Sequence, residues 1–455
     1  MKIVFAASEM VPYAKTGGLA DVIGSLTAAL CRQGLEVSAF IPRYKNIDLS
    51  KWGLQVAVED FAIQVGSVRE HGKIYKAVAP GGSDNIKVYF VDHPEFYCRE
   101  GFYGTAAGDY PDNDRRFIFF QRAILENLKA LGLKPDVIHG HDWQTGLIPV
   151  YLKTLYASDP FFQKTKTVFT VHNLGYQGNF PPDSLPATGL GWEQFRMERL
   201  EYYGKVSFLK GGLLDADTVT TVSERYGQEI QTKEFGCGME GVLAKRRERL
   251  QGILNGIDWE EWNPETDRDL AAVFSASKLE GKAANKTALQ KENNLKMEAR
   301  APILGVVTRL VDQKGIDILI PALGNLLERG AQLVLLGTGE EKYHHILREF
   351  AKKNKGRASV HILFDPKMAK HIYAGADMML MPSYYEPCGL GQMIALRFGT
   401  VPVVRATGGL ADTITDYDPK TGQGNGFVFK EYTSDALSKA VGRAMELYQN
   451  EKKMA

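Results

Sequence analysis

The hexapeptide TGGLAD occurs twice, inside KTGGLADV at residues 15–22 and inside ATGGLADT at residues 406–413. Copies at opposite ends of a 455-residue chain are not a solenoid or propeller repeat, which recurs every few tens of residues. Each copy follows an apolar run, KIVFAAS before the first and VPVVRA before the second. Each also opens a stretch with apolar residues at helical spacing: Leu19, Val22, Ile23, Leu26 and Leu30 after the first, Leu410 and Ile414 after the second. Both copies therefore read as glycine-rich loops leading from a strand into a helix. Such a helix start offers backbone N–H groups and the positive end of a dipole, which suit an anion. Gly17-Gly18 or Gly408-Gly409 alone would serve a plain tight turn equally well. Two copies at equivalent positions favour a shared ligand-binding role.

The same alternation runs along the whole chain. Strand runs in the first half are KIVFAA, VSAFI, KVYFVD, PDVIHGH, TVFTVHN and DTVTTVS. In the second half they are PILGVVTRL, QLVLLGTG, SVHILF, MMLMPS, VPVVRAT and GFVF. Continuous apolar runs separated by amphipathic helices are the pattern of parallel strands covered on both faces. The series breaks and restarts around LQGILNGIDWEEWNPETD, which reads as a crossing between domains. The expected fold is α/β: two doubly wound, Rossmann-like domains, residues 1–252 and 253–455, facing each other across a cleft. In such sheets ligands bind beyond the carboxyl ends of the strands.

Composition narrows the function. A net charge of +1 gives no basic surplus for nucleic acid or an anionic membrane, and no apolar window is long enough to span one. The four cysteines form no C-x-x-C pair, and the N-terminus lacks a signal-peptide pattern, so a cytoplasmic protein is expected.

Several loop residues carry chemistry. In VVTRLVDQKG, Arg309 ends a strand and Lys314 precedes a helix, so both can reach a diphosphate, with Lys15 as a third cation. In MPSYYEPCGLGQ, Glu386 precedes a rigid turn and a helix start. It is either a surface carboxylate or one that binds sugar hydroxyls and stabilises oxocarbenium charge. Cys388 reads as a packing residue whose amide makes contacts. His139-x-His141 with Asp142 invites a metal reading, since alternate residues on a strand share a face, but no further ligands stand at the needed spacing. His172-Asn173 and Asp142-Trp143 suit a carbohydrate, with polar tips for hydroxyls and an indole face for a ring. Core packing is the competing reading of Trp143.

Taken in order, KTGGLADV, HGHDWQTG, TVHNLGYQG, NGID, TRLVDQKG, GADMMLMPSYYEPCGLGQ and TGGLADT resemble the glycogen and starch synthases of the bacterial and plant type, glycosyltransferase family five. The resemblance covers nearly the whole chain. It implies the GT-B architecture, no essential metal and no cofactor. It also implies retaining transfer of glucose from ADP-glucose or UDP-glucose to the end of glycogen, another α-1,4-glucan or a maltooligosaccharide. For a plant or algal source the place would be the plastid stroma. By motif, Lys15, Arg309 and Lys314 are implied as diphosphate ligands, Glu386 as the carboxylate on the donor glucose, and His172 as the residue near its 6-hydroxyl. Gly18, Asp21, Asp142, Trp143, Asn255, Cys388, Gly389, Leu390, Thr407, Gly408 and Gly409 are implied to line the substrate pocket. Phe364 occupies a loop where many members carry tyrosine; it would stack on the nucleotide base. Members usually end in a helical segment that returns to the first domain, and here the sequence stops at RAMELYQNEKKMA, which predicts a weaker latch. Another retaining transferase is the alternative, but the second glutamate that many of those carry would fall at Ile394. A glucan-binding relative with impaired turnover is the non-enzyme alternative.

Overall fold

A computed structural model describes residues 1–79, 86–105 and 107–450. By its contacts the chain divides into two compact units, Met1–Val222 with Gly227–Ile253, and Leu254–Ala455 with Ser223–Tyr226. In the first unit a parallel sheet runs in the order Leu250–Gly252, Thr218–Thr221, Lys166–Val171, Val137–His141, Lys2–Ala6, Glu36–Pro42 and Lys87–Asp92. In the second, all strands are parallel in the order Ala358–His361, Gln332–Leu336, Ile303–Val307, Met378–Met381, Val401–Arg405 and Phe427–Phe429. Counted by chain position, the second sheet reads 3-2-1-4-5-6, and the parallel part of the first has the same order with one strand added. This is the Rossmann order, whose ligand crevice opens where strands 1 and 4 diverge. The divergence lies between Lys2–Ala6 and Val137–His141 in one unit, and between Ile303–Val307 and Met378–Met381 in the other.

The second unit shows why its strand runs are continuously apolar. Leu304 and Val306 point to one face, under Leu319, Leu323 and Leu326 of the helix Ile316–Glu328 and Leu437 and Val441 of the helix Ser434–Gln449. Ile303 points to the other, with Ile372, Ala395 and Phe398. Each fully buried leucine of this kind stabilises the fold by about 1.5–3 kcal/mol.

Two elements depart from the sequence reading. A hairpin, Gln55–Val65 and Val68–Val78, adds antiparallel strands to the edge beside Lys87–Asp92. Its strands mix exposed charged and polar residues with apolar ones of every degree of burial, so they lack the continuous buried runs that mark the central strands. Leu250–Gly252, read as the start of the interdomain crossing, instead pairs in parallel with Thr218–Thr221.

The TGGLAD copies both follow strands, but they do different work. The first opens the helix Gly18–Arg32, with Gly17 as an extended N-cap whose Cβ would meet nothing within 4 Å. Leu19 and Ile23 are buried as expected, while Leu26 is half-buried and Thr27 takes the inner position, its hydroxyl donating to the Ile23 carbonyl at 2.7 Å. The second opens only the six-residue helix Gly408–Thr413. There Gly408 has φ +44 and a Cβ would lie 1.9 Å from the Glu386 carbonyl oxygen; at Gly409 it would lie 2.1 Å from that of Cys388. In the second copy the glycines let two loops touch. Gly408→Ala should therefore lower the unfolding free energy by at least about 1–3 kcal/mol, the usual cost of such backbone strain. Gly17→Ala should cost much less. Equal losses of thermal stability in the two variants would contradict this division of labour.

Candidate active site

In the first unit the loop after Lys2–Ala6 carries Lys15 and leads into the helix Gly18–Arg32, whose first turn holds Asp21. Lys15 Nζ donates to Asp21 Oδ1 at 2.6 Å, so these two implied ligands are an ion pair with each other. The loop is anchored from below by Glu9, which is 3% exposed. Its carboxylate accepts from the Thr16 backbone N–H, from Thr16 Oγ1 at 2.6 Å and from Tyr103 OH at 2.6 Å. Sequence reasoning passed over Glu9 and Tyr103, although Glu9 lies three residues beyond the first strand and a charged group there needs partners.

Across the divergence point, His141 ends its strand and Asp142 follows with φ 55 and ψ −177, a conformation that only glycine adopts without strain. The Asp142 carboxylate accepts the His172 backbone N–H at 2.7 Å and that of Asn173. Burial outweighs those bonds and pushes the Asp142 pKa up to about 7. Trp143 corrects one expectation. It is buried, edge-on to Phe117 at 4.9 Å and to Phe180 at 5.5 Å, and the Cβ of any residue replacing Gly178 would strike its ring. The indole is a core residue that fixes the turn, and its hydrophobic area is spent on packing.

The second unit places its residues more tightly. Lys314 Nζ donates to both oxygens of Glu386, at 2.7 and 2.6 Å, and Ser383 Oγ donates to Glu386 Oε2 at 2.9 Å. Glu386 is 4% exposed. Lys314 closes the loop after Ile303–Val307, and Glu386 lies on the loop after Met378–Met381. The two loops are further stitched by Tyr384 N–H to the Gln313 carbonyl at 2.9 Å, and at Gly315 a Cβ would meet the Pro382 oxygen at 2.0 Å. Arg309 is exposed on the first of these loops, two residues beyond the end of its strand rather than at it.

Two further expectations change. Glu386 precedes a helix start in the sequence, but that helix, Gly391–Arg397, begins only five residues on, too far for its dipole to be the main partner of the carboxylate. A bidentate lysine is the nearer and stronger partner. Gly409 was read as offering its amide to a ligand; that N–H donates to the Glu386 carbonyl at 3.1 Å. Thr407 is buried, its N–H donating to the Arg405 carbonyl. Cys388 is buried, with Asn255 hydrogen-bonded to its sulfur through backbone and side chain, and burial pushes the thiol up to about 12, so it is no nucleophile. Gly389 has φ +72, and Gln392 Nε2, which the sequence reading missed, donates to the carbonyls of Cys388 and Gly389 beside Leu390. Phe364 is 68% exposed on the loop between Ala358–His361 and Pro366–Gly375. Among the described residues no three His, Cys, Asp or Glu side chains converge as a metal site. No helix among them is long and apolar enough to cross a membrane.

Comparison with known proteins meets this geometry. The family model described as the starch synthase catalytic domain matches residues 2–245, and that for glycosyl transferases group 1 matches residues 287–455. A glycogen synthase of Geotalea daltonii is 48% identical over 450 residues, covering 99% of this chain and 92% of that one. One from Desulforudis audaxviator is 48% identical over 462 residues, covering 99% and 90%. The catalytic domain of starch synthase IV from Arabidopsis thaliana, bound to ADP and acarbose, superposes with a TM-score of 0.91 at 37% identity, over 99% of this chain and 93% of that one. A sucrose-phosphate synthase of Thermosynechococcus elongatus, 17% identical with a TM-score of 0.61 over 100% and 92%, shares the fold. Two Rossmann-ordered units, matched by glycosyltransferase family models and by the starch synthase structure, place the chain among the GT-B glycosyltransferases. The chain belongs to the glycogen and starch synthase family.

The Asp142 carboxyl supplies a check on the site's electrostatics. Folding raises its pKa, so the folded chain holds this proton more tightly than the unfolded chain does. Its contribution to stability is then greatest below pH about 4, the unfolded value, and is lost as pH rises towards 7. Carboxyl NMR should show Asp142 titrating with a midpoint near 7. A midpoint near that of a free aspartate would contradict the burial described.

Proposed function

We propose that this glycosyltransferase transfers glucose from ADP-glucose, with retention, to the non-reducing end of an α-1,4-glucan. The observation that carries the choice of donor and acceptor is the likeness to the Arabidopsis starch synthase bound to ADP and acarbose. UDP-glucose is the competing donor. The second unit is proposed as the donor-binding domain and the first as the glucan-acceptor side.

In this reading the leaving diphosphate is met by Lys15, Arg309 and Lys314, and Gly18 and the Cys388–Leu390 backbone approach it closely. Stabilising the charge that develops on the leaving group is what a set of fixed cations does best. Glu386 accepts hydrogen bonds from the donor glucose and stabilises positive charge growing at its ring oxygen and anomeric carbon. His172 lies near the 6-hydroxyl, with Asp142 holding its backbone, and Asn255 supports the Cys388 turn. Phe364 stacks on the base; its exposure leaves the ring available for this. No metal or cofactor is required, because the three cations supply the charge stabilisation a metal otherwise gives. The site lies in a protein expected to be cytoplasmic.

The test is a radiolabel transfer assay onto glycogen with ADP-glucose and UDP-glucose in parallel. ADP-glucose should be the better donor, and EDTA should leave the rate nearly unchanged. Single alanine substitutions of Lys15, Arg309 and Lys314 should each lower kcat/KM at least roughly tenfold, the loss of one charge-assisted hydrogen bond. Wild-type kinetics in the triple variant would remove the diphosphate assignment, and strict dependence on added metal would overturn the metal-free reading.

A further inference from the structure

Three imidazoles meet in the first unit at the carboxyl ends of Val137–His141 and Lys166–Val171. His141 is fully buried, and its Nδ1 lies 3.0 Å from His172 Nε2. Its ring packs against Phe5, with centroids 5.5 Å apart and 12° between planes, and against His139, 4.1 Å away at 29°; Phe5 and His139 also touch each other, 4.9 Å apart. His139 is tied by Nε2 to Thr170 Oγ1 at 2.6 Å, and Thr170 in turn to Thr220 Oγ1 at 2.6 Å. His141 Nε2 is buried and, among the described residues, has no hydrogen-bond partner.

Burial holds His139 and His172 down to about 3 and His141 well below its ordinary range, so all three rings are neutral near pH 7. Each neutral ring carries one proton, and the short contact between His141 and His172 needs one donor and one acceptor. If His172 Nε2–H were the donor, the His141 proton would sit on Nε2, a buried N–H with no acceptor. If His141 Nδ1–H is the donor, Nε2 is left as a bare lone pair instead. Among backbone groups an orphaned buried N–H is rarer than an under-satisfied acceptor, and the same preference applied to the imidazole selects the second arrangement.

We infer that His141 is a positioning residue: it donates its Nδ1–H to His172 Nε2 and thereby fixes His172 as the Nδ1–H tautomer. Given the reading of His172 as a residue at the donor glucose, that ring then meets the sugar as a hydrogen-bond donor in a set orientation. Asp142 holds the His172 backbone and His141 its side chain, so the residue is gripped from both ends.

The experiment is imidazole NMR on the full chain labelled with ¹⁵N-histidine, the His172 signal among nine being assigned by its loss in His172→Gln. In the wild type His172 should carry its proton on Nδ1. His141→Phe keeps a ring in the stack and removes the donor. It should mix the His172 tautomers and lower kcat/KM roughly tenfold, the value of one hydrogen bond. His141→Asn places an amide donor near the lost Nδ1 and should restore both. A wild-type His172 protonated on Nε2 overturns the inference, even if no variant folds. So does a His141→Phe enzyme with unchanged tautomer and kinetics. The expected wild-type spectrum in an enzyme that transfers from neither donor would count against the proposed function while upholding the His141–His172 bond.

Discussion

The contact between Lys314 and Glu386 governs the second unit's site. A carboxylate almost wholly removed from water is costly unless a cation meets it, and here the cation comes from the neighbouring loop at the sheet's divergence point. Unit charges about 4 Å apart attract by roughly 4 kcal/mol at an effective dielectric of 20. That attraction holds the two loops together, helped by Ser383 and by the glycine that lets Pro382 approach Gly315. In the proposed reading, the diphosphate would therefore not meet an idle lysine. Donor binding would then share or divert Lys314, and loosening that ion pair would leave Glu386 with more negative character to offer the sugar in its proposed role. In the first unit Lys15 is likewise already paired, with Asp21.

The same topology has been used twice, with different fillings. Both sheets open between strands 1 and 4, and both bring a lysine-bearing loop from strand 1 to that opening. In the first unit a buried glutamate, Glu9, ties the lysine loop down through Thr16; in the second, Glu386 does so directly. The repeated TGGLAD is therefore not one device copied. Its first copy caps a long helix beside open space, and its second is a spacer-free contact with the loop that carries Glu386.

Long apolar runs such as PILGVV and QLVLL made the parallel strands legible, because burial on both faces leaves no other composition possible. The hairpin at Gln55–Val78 was not, since a half-exposed edge mixes charged and apolar residues. At the site, residue type and spacing were enough to bring Lys314 and Glu386 forward separately, but not to pair them: 72 positions of chain separate them, and only the sheet order makes them neighbours. Trp143 shows the opposite limit, because an aromatic beside polar loop residues reads alike whether it faces a sugar or a core. Glu9, Tyr103 and Ser383 were invisible for a related reason: each matters through a partner remote in sequence or through a carboxylate whose burial sequence does not reveal.

The most direct measurement of the account is the separation of kcat from donor KM in Glu386→Gln. The substitution keeps the size of the side chain and much of its hydrogen bonding while deleting the charge. If Glu386 acts on positive charge that exists only in the transition state, kcat should fall roughly a hundredfold or more with donor KM little changed. A raised KM with kcat intact would make Glu386 a sugar-binding residue alone and contradict the role assigned to the pair.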